Sequence, residues 1–310
     1  MSTVGLGGAP LGNLYSAIDD DTARETVDAA WQSGVRYFDT APHYGLGLSE
    51  RRLGAALGSH PREEYVISTK VGRLLEPNPA PVGSDTEGFD VPDSHIRKRD
   101  YSRDGVLCSI EASLARLGLD RIDVVLVHDP ENHLDQAIRE TVPALAALRD
   151  QGVIGAVGVG MNLVEPLRRF VADSDVNIVM VAGRWTLLDR TAAPLLADCQ
   201  VRGVSVLAAA PYNSGLLAKP VIAEDATFDY AAAPGEVIAV ARRLAEICAD
   251  HGVRLPAAAM QFPLLDPVVA SVVVGARSAA EAEGTVAAAT TPIPAQLWAA
   301  LDDVAMPASR

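Results

Sequence analysis

Short, nearly uninterrupted apolar runs alternate along the chain with longer stretches in which apolar positions recur every three or four residues. Runs of the first kind, such as Ile122-Asp123-Val124-Val125-Leu126-Val127-His128 and Ser271-Val272-Val273-Val274-Gly275, have the pattern of strands buried on both faces, as in a parallel sheet covered by helices. Stretches of the second kind read as amphipathic helices: Val106, Ile110, Leu114 and Leu117 share one face, as do Val240, Leu244 and Ile247. Strands are predicted from residues 4, 36, 65, 122, 155, 178, 204 and 271, and nearly all are followed by a helix. Among those helices are 22–33, 49–58, 102–118, 134–150, 236–250 and 256–265. That order predicts an α/β fold, a closed (β/α)8 TIM barrel rather than an open doubly wound sheet, formed as one domain over residues 1–310.

Two stretches depart from the rhythm. Residues 71–101 are rich in Pro, Gly and Asp with no usable period, which predicts a long loop after the third strand, a lid or mobile insertion. Val4-Gly5-Leu6-Gly7-Gly8 has glycines, but not at dinucleotide-fingerprint spacing and with no helix directly after them. It therefore reads as a tight first barrel strand.

Composition narrows the function classes. With 310 residues, 49% of them hydrophobic and 21% charged, the chain can bury a sizeable core. A formal net charge of −14 repels phosphate backbones and anionic lipid, so neither nucleic acid nor membrane is an expected partner. The one basic run, Arg97-Lys98-Arg99, lies between Asp93 and Asp100 and reads as a solvated loop face. Cys108, Cys199 and Cys248 are odd in number and far apart, arguing against a disulfide framework or a metal site. With no basic leader and no long apolar span, the expected location is the cytoplasm, and the expected state a monomer or small homo-oligomer.

The chemistry gathers at strand ends. Tyr37-Phe38-Asp39-Thr40-Ala41-Pro42-His43-Tyr44-Gly45 runs as a strand and breaks at Pro42, placing Asp39 and Tyr44 where strand meets loop. Lys70 and His128 close two further strands. A closed barrel brings those ends to one face, where its chemistry is done. A tyrosine is a poor acid at neutral pH, and an adjacent ammonium from Lys70 would lower its pKa, with Asp39 holding the lysine. His128 would bond the substrate oxygen. The group suits stabilising charge on an oxygen while hydride leaves or reaches the attached carbon, which requires a nicotinamide. A competing reading makes Lys70 a Schiff-base nucleophile.

These motifs, with Ser49-Glu50, Ser68-Thr69-Lys70 and Asp123-Val124-Val125-Leu126-Val127-His128, resemble those of the aldo-keto reductase family over residues 4–290. Gly7-Gly8-Ala9-Pro10-Leu11-Gly12-Asn13 and Ala41-Pro42-His43-Tyr44-Gly45-Leu46-Gly47-Leu48-Ser49-Glu50 are closer to its aldose dehydrogenase branch. That branch includes L-fucose (D-threo-aldose) dehydrogenases and a pyridoxal 4-dehydrogenase. The resemblance implies an NAD(P)-dependent oxidoreductase acting on a sugar anomeric carbon or small aldehyde, with Asp39, Tyr44, Lys70 and His128 catalytic and His43 and Asp129 facing substrate. It implies cofactor contacts at Asn162, at the turn-rich Pro211-Tyr212-Asn213-Ser214-Gly215, and at Gly275-Ala276-Arg277-Ser278. Trp185 stands in for a nicotinamide-stacking tyrosine, since Ala208-Ala209-Ala210 precede Pro211. Glu281 and Glu283 favour NAD over NADP, because carboxylates repel a 2′-phosphate. A pyridoxal-type or general aldehyde reductase is the alternative enzyme, and a cofactor-sensing subunit the alternative outside catalysis.

Overall fold

The computed structural model describes residues 1–229 and 231–304. Eight parallel strands close a barrel: β1 (Val4–Gly7), β2 (Tyr37–Asp39), β3 (Val66–Val71), β4 (Ile122–His128), β5 (Ile154–Met161), β6 (Ile178–Ala182), β7 (Ser205–Ala209) and β8 (Val269–Gly275). β1 pairs with β2 and with β8, and every other neighbour is sequential. The valine-rich runs form strands because each is covered twice. Val124, Leu126, Ile178, Met180, Leu207 and Val273 fill the barrel interior with Tyr37, while Val125, Val127, Val157, Val179 and Val206 pack outward under the helices.

The helices form where their periodicity predicts, with local corrections. The cap of helix Asp20–Gln32 is Asp19, whose carboxylate accepts from Thr22 N at 2.7 Å. Residues 134–150 are not one regular helix: a π-turn over Ala137–Thr141 precedes Val142–Asp150. Pro143 lacks the N–H that would continue the ladder there. The stretch 256–265 likewise divides, at Pro263, into helix Leu255–Gln261 and a 3-10 turn Phe262–Leu265.

The largest correction concerns the long insertion after β3. Residues Arg73–Pro77 and His95–Arg99 pair as an antiparallel hairpin, Arg73 opposite Arg99 and Leu75 opposite Arg97. Its basic run is only in part the solvated face expected, with Lys98 and Arg99 exposed. Lys98 points outward, but the Arg97 side chain is 6% exposed and bound by Asp85, as the alternation of a strand dictates. Among the described residues no helix is long and apolar enough to cross a membrane.

Candidate active site

Strand parity assembles the centre. In β3, Ser68 and Lys70 point into the barrel while Thr69 between them points out, its hydroxyl donating to Glu50 at 2.7 Å. β2 lies beside β3 in the register that sets Asp39 opposite Ser68. Lys70 Nζ then donates to Asp39 Oδ2 at 2.7 Å, to the Thr40 carbonyl at 2.9 Å and to the Tyr44 hydroxyl at 3.1 Å. Ser68 Oγ donates to Asp39 Oδ1 at 2.6 Å and is itself 2.9 Å from the Tyr37 hydroxyl. Gly5 makes room for that tyrosine: a Cβ there would lie 2.5 Å from the Tyr37 ring. Gly45, at φ 61°, lets the Tyr44 loop lie against Gly12, whose carbonyl would be 2.2 Å from any added Cβ.

His128 closes β4 with its ring edge-on to Tyr44, centroids 5.9 Å apart. Tyr101 anchors the turn after it, its hydroxyl donating to the carbonyls of His128 and Asp129 at 2.7 and 2.9 Å. His43 stands 5.5 Å from His128 and 5.1 Å from Phe89, ring to ring. Asp39, Tyr44, Lys70 and His128 are thus brought together, with His43 and Asp129 at their rim.

Burial sets the protonation of this group. It pulls the Lys70 ammonium towards deprotonation, but Asp39 and the Tyr44 oxygen outweigh it, and the lysine pKa is raised. A lysine held so firmly as an ammonium is unsuited to Schiff-base attack. Tyr44 reverses the expectation drawn from sequence: burial outweighs the nearby Lys70 charge, so the phenol pKa is raised. His128 is driven well below its ordinary range, first by burial and then by Arg73 and Lys70. It is a neutral imidazole with Nδ1 buried and unpartnered. His43 falls to about 2 through burial, then Arg73 and Arg97.

The inserted hairpin supplies residues that the sequence did not single out. Arg97 grips Asp85 through both guanidinium nitrogens, at 2.5 and 3.1 Å, and donates to the His43 carbonyl at 2.9 Å. Arg73 donates to Asp129 Oδ2 at 2.5 Å. On the outer side of β3, buried Glu50 accepts from Arg116 Nε at 2.5 Å. The run 95–99 carried no signal for Arg97, since its one apolar residue, Ile96, is exposed, and the carboxylates that bury these arginines cannot be paired from sequence.

The residues assigned to cofactor lie on loops after β5 to β8. The Asn162 carbonyl accepts from Arg184 at 3.0 Å. Trp185 packs 5.4 Å from Phe262, its indole N–H buried without a partner. Pro211 is buried and Gly215 exposed, in a turn where Ala210, Asn213, Ser214 and Gly215 all have positive φ. Asn213 ties this turn to the Trp185 loop by donating to the Gly183 carbonyl at 3.2 Å, leaving its own Oδ1 buried and unpartnered. Gly275 lies against Pro10, and Ser278 caps helix Ala279–Thr290, accepting from Glu281 N at 3.3 Å. Arg277 reaches the Ser16 carbonyl, and its backbone N–H donates to the Glu281 carboxylate at 2.9 Å. Unpartnered buried polar atoms and a helix N-terminus around one barrel mouth fit a polar, phosphate-bearing cofactor.

The model of the aldo/keto reductase family matches residues 3–306. The chain belongs to that family. It is an oxidoreductase of a nicotinamide-dependent class. This aldo/keto reductase is 47% identical to a D-threo-aldose 1-dehydrogenase of a Pseudomonas species, over 97% of its own length and 93% of the relative's. It is 38% identical to the pyridoxal 4-dehydrogenase of Microbacterium luteolum, over 97% and 93%. The holo form of aldo-keto reductase AKR11C1 from Bacillus halodurans superposes with a TM-score of 0.79 at 26% identity, covering 100% of this chain and 94% of that one.

Proposed function

We propose that this aldo/keto reductase oxidises the anomeric carbon of a neutral aldose to the lactone, with Tyr44 as general base in oxidation and general acid in the reverse direction. The observation carrying the reading is the half-buried Tyr44, its hydroxyl 3.1 Å from a lysine that Asp39 holds charged. NAD(P), when bound, takes up or supplies the hydride. Tyr44 as phenolate, its charge offset by the Lys70 ammonium, takes the proton from the anomeric hydroxyl as the C–H bond breaks and becomes the neutral phenol; in the reverse direction the neutral phenol gives that proton up. Neutral His128 has one ring N–H with which to hold the same substrate oxygen. Relatives named D-threo-aldose 1-dehydrogenase, pyridoxal 4-dehydrogenase and L-galactose dehydrogenase, the last 32% identical, support a sugar or aldehyde substrate.

Asn162, Trp185, Pro211, Gly215, Gly275, Arg277 and Ser278 would hold the cofactor. Glu281, already at the backbone of Arg277, favours NAD, since a 2′-phosphate brought beside it meets a carboxylate. The aromatic wall of His43, Tyr44 and Phe89, with Tyr44 and Phe89 centroids 6.0 Å apart, supports a second reading, a pyridoxal-type aromatic aldehyde.

One experiment tests both: nicotinamide absorbance followed over a panel of neutral aldoses and aromatic aldehydes, with each cofactor separately, for wild type and Tyr44→Phe. Aldose turnover that falls about 10²- to 10⁴-fold in the variant, with cofactor binding intact, is the expected result. Undiminished turnover in Tyr44→Phe would sink the mechanism, and turnover of aromatic aldehydes alone would favour the second reading.

A further inference from the structure

Glu87, in the insertion between the two hairpin strands, is a carboxylate at the rim of the site with no close partner. Its Oε1 is 3.6 Å from Arg97, and its Oε2 is 3.8 Å from His43 Nδ1 and 3.9 Å from Arg73. All three distances lie beyond a hydrogen bond. Arg97 is taken by Asp85 and Arg73 by Asp129, each at 2.5 Å. Glu87 is therefore attracted into the site by cations that are committed elsewhere, and its side chain remains 46% exposed. Beside it, His43 Nδ1 is buried without a partner. Two residues on, buried Phe89 meets both His43 and Tyr44, forming an apolar wall next to an uncommitted acceptor. A sugar presents that combination in reverse, with a C–H face and several hydroxyl donors.

Resting on the aldose reading above, we propose that Glu87 is the specificity residue of this site. Its carboxylate accepts hydrogen bonds from substrate hydroxyls remote from the reacting carbon, and thereby selects neutral polyhydroxylated aldehydes over anionic ones. Arg73 and Arg97 at the rim are held by Asp129 and Asp85, and Arg99 donates to the Asp129 carbonyl and the Tyr101 hydroxyl, so a sugar acid or phosphate brought beside Glu87 would meet a carboxylate that no arginine holds at hydrogen-bond distance. Asp85, Arg97 and Arg73 are positioning residues that fix where Glu87 stands.

Glu87→Gln tests this with four substrates: L-fucose, L-galacturonate, which carries a carboxylate in place of the L-fucose methyl group, propanal, which has no hydroxyls, and pyridoxal. In the variant, kcat/KM for L-fucose should fall about 10- to 100-fold, chiefly through KM, as expected for losing a charged hydrogen bond. Propanal should stay within about threefold, while L-galacturonate should gain relative to L-fucose. The rise in melting temperature that saturating L-fucose gives wild type should shrink in the variant, a readout independent of turnover. An equal fall on all four substrates would make Glu87 merely structural, and no change on L-fucose would remove it from the site; either overturns the proposal. Wild type that turns over propanal or pyridoxal but neither turns over nor is stabilised by L-fucose would overturn the aldose reading itself, and this inference with it.

Discussion

Lys70 shows how strongly one residue's chemistry depends on its neighbours. Its side chain is 2% exposed, and three oxygens satisfy its ammonium. Removing one partner of a buried ion pair strands the other charge, a loss of about 3–5 kcal/mol. Lys70→Met should therefore unfold at markedly lower denaturant than wild type. Adding Asp39→Asn should restore much of that stability without restoring turnover. Denaturation midpoints of the two single variants and the double variant measure the coupling, and additive losses would contradict it.

At the scale of elements, the hairpin and its insertion are held at the barrel mouth by charge as well as by the apolar packing of Phe89 and Val91 against Leu46. Arg97→Ala leaves the Asp85 carboxylate, 5% exposed, without its partner and frees the His43 carbonyl. The hairpin should loosen while the barrel stays folded. Amide exchange across residues 73–99 should accelerate, and KM for the aldose should rise more than kcat falls. Unaltered exchange there would show that the ion pair does not hold the hairpin.

The eight strands were readable because burial on both faces leaves a valine-rich run that nothing else in a chain this charged imitates. Asp39, Lys70 and His128 were readable because a polar residue ending such a run must face something polar. Arg97 and Glu50 were not. A buried charge looks like a surface charge until its partner is known, and Asp85 and Arg116 lie 12 and 66 residues away. The direction of the Tyr44 shift was missed for a related reason: the ammonium was legible, whereas the depth of burial that outweighs it was not.

For the molecule as a whole, two buried neutral histidines set a limit in acid. His43 titrates at about 2 in the folded protein, against about 6.5 when unfolded, and the His128 pKa is also depressed. Below pH ~6.5 the unfolded chain binds protons that the folded one refuses, so stability falls as pH drops, at about 1.4 kcal/mol per unit for each such group. At pH 5 the His43 share is about 2 kcal/mol. His43→Gln should lose less stability than wild type between pH 7 and pH 5, measured by urea midpoints. Parallel losses would place the acid sensitivity elsewhere.

The alternation in β3 has an evolutionary consequence. Ser68 and Lys70 hold Asp39 from one side of the strand while Thr69 anchors the strand to Glu50 from the other. A single inserted or deleted residue within the strand would exchange those sides and destroy catalysis and anchoring together. Viable length changes there should come in even numbers, so lineages that descend from this barrel will vary freely in the hairpin beyond Val71 and keep the parity of the strand before it.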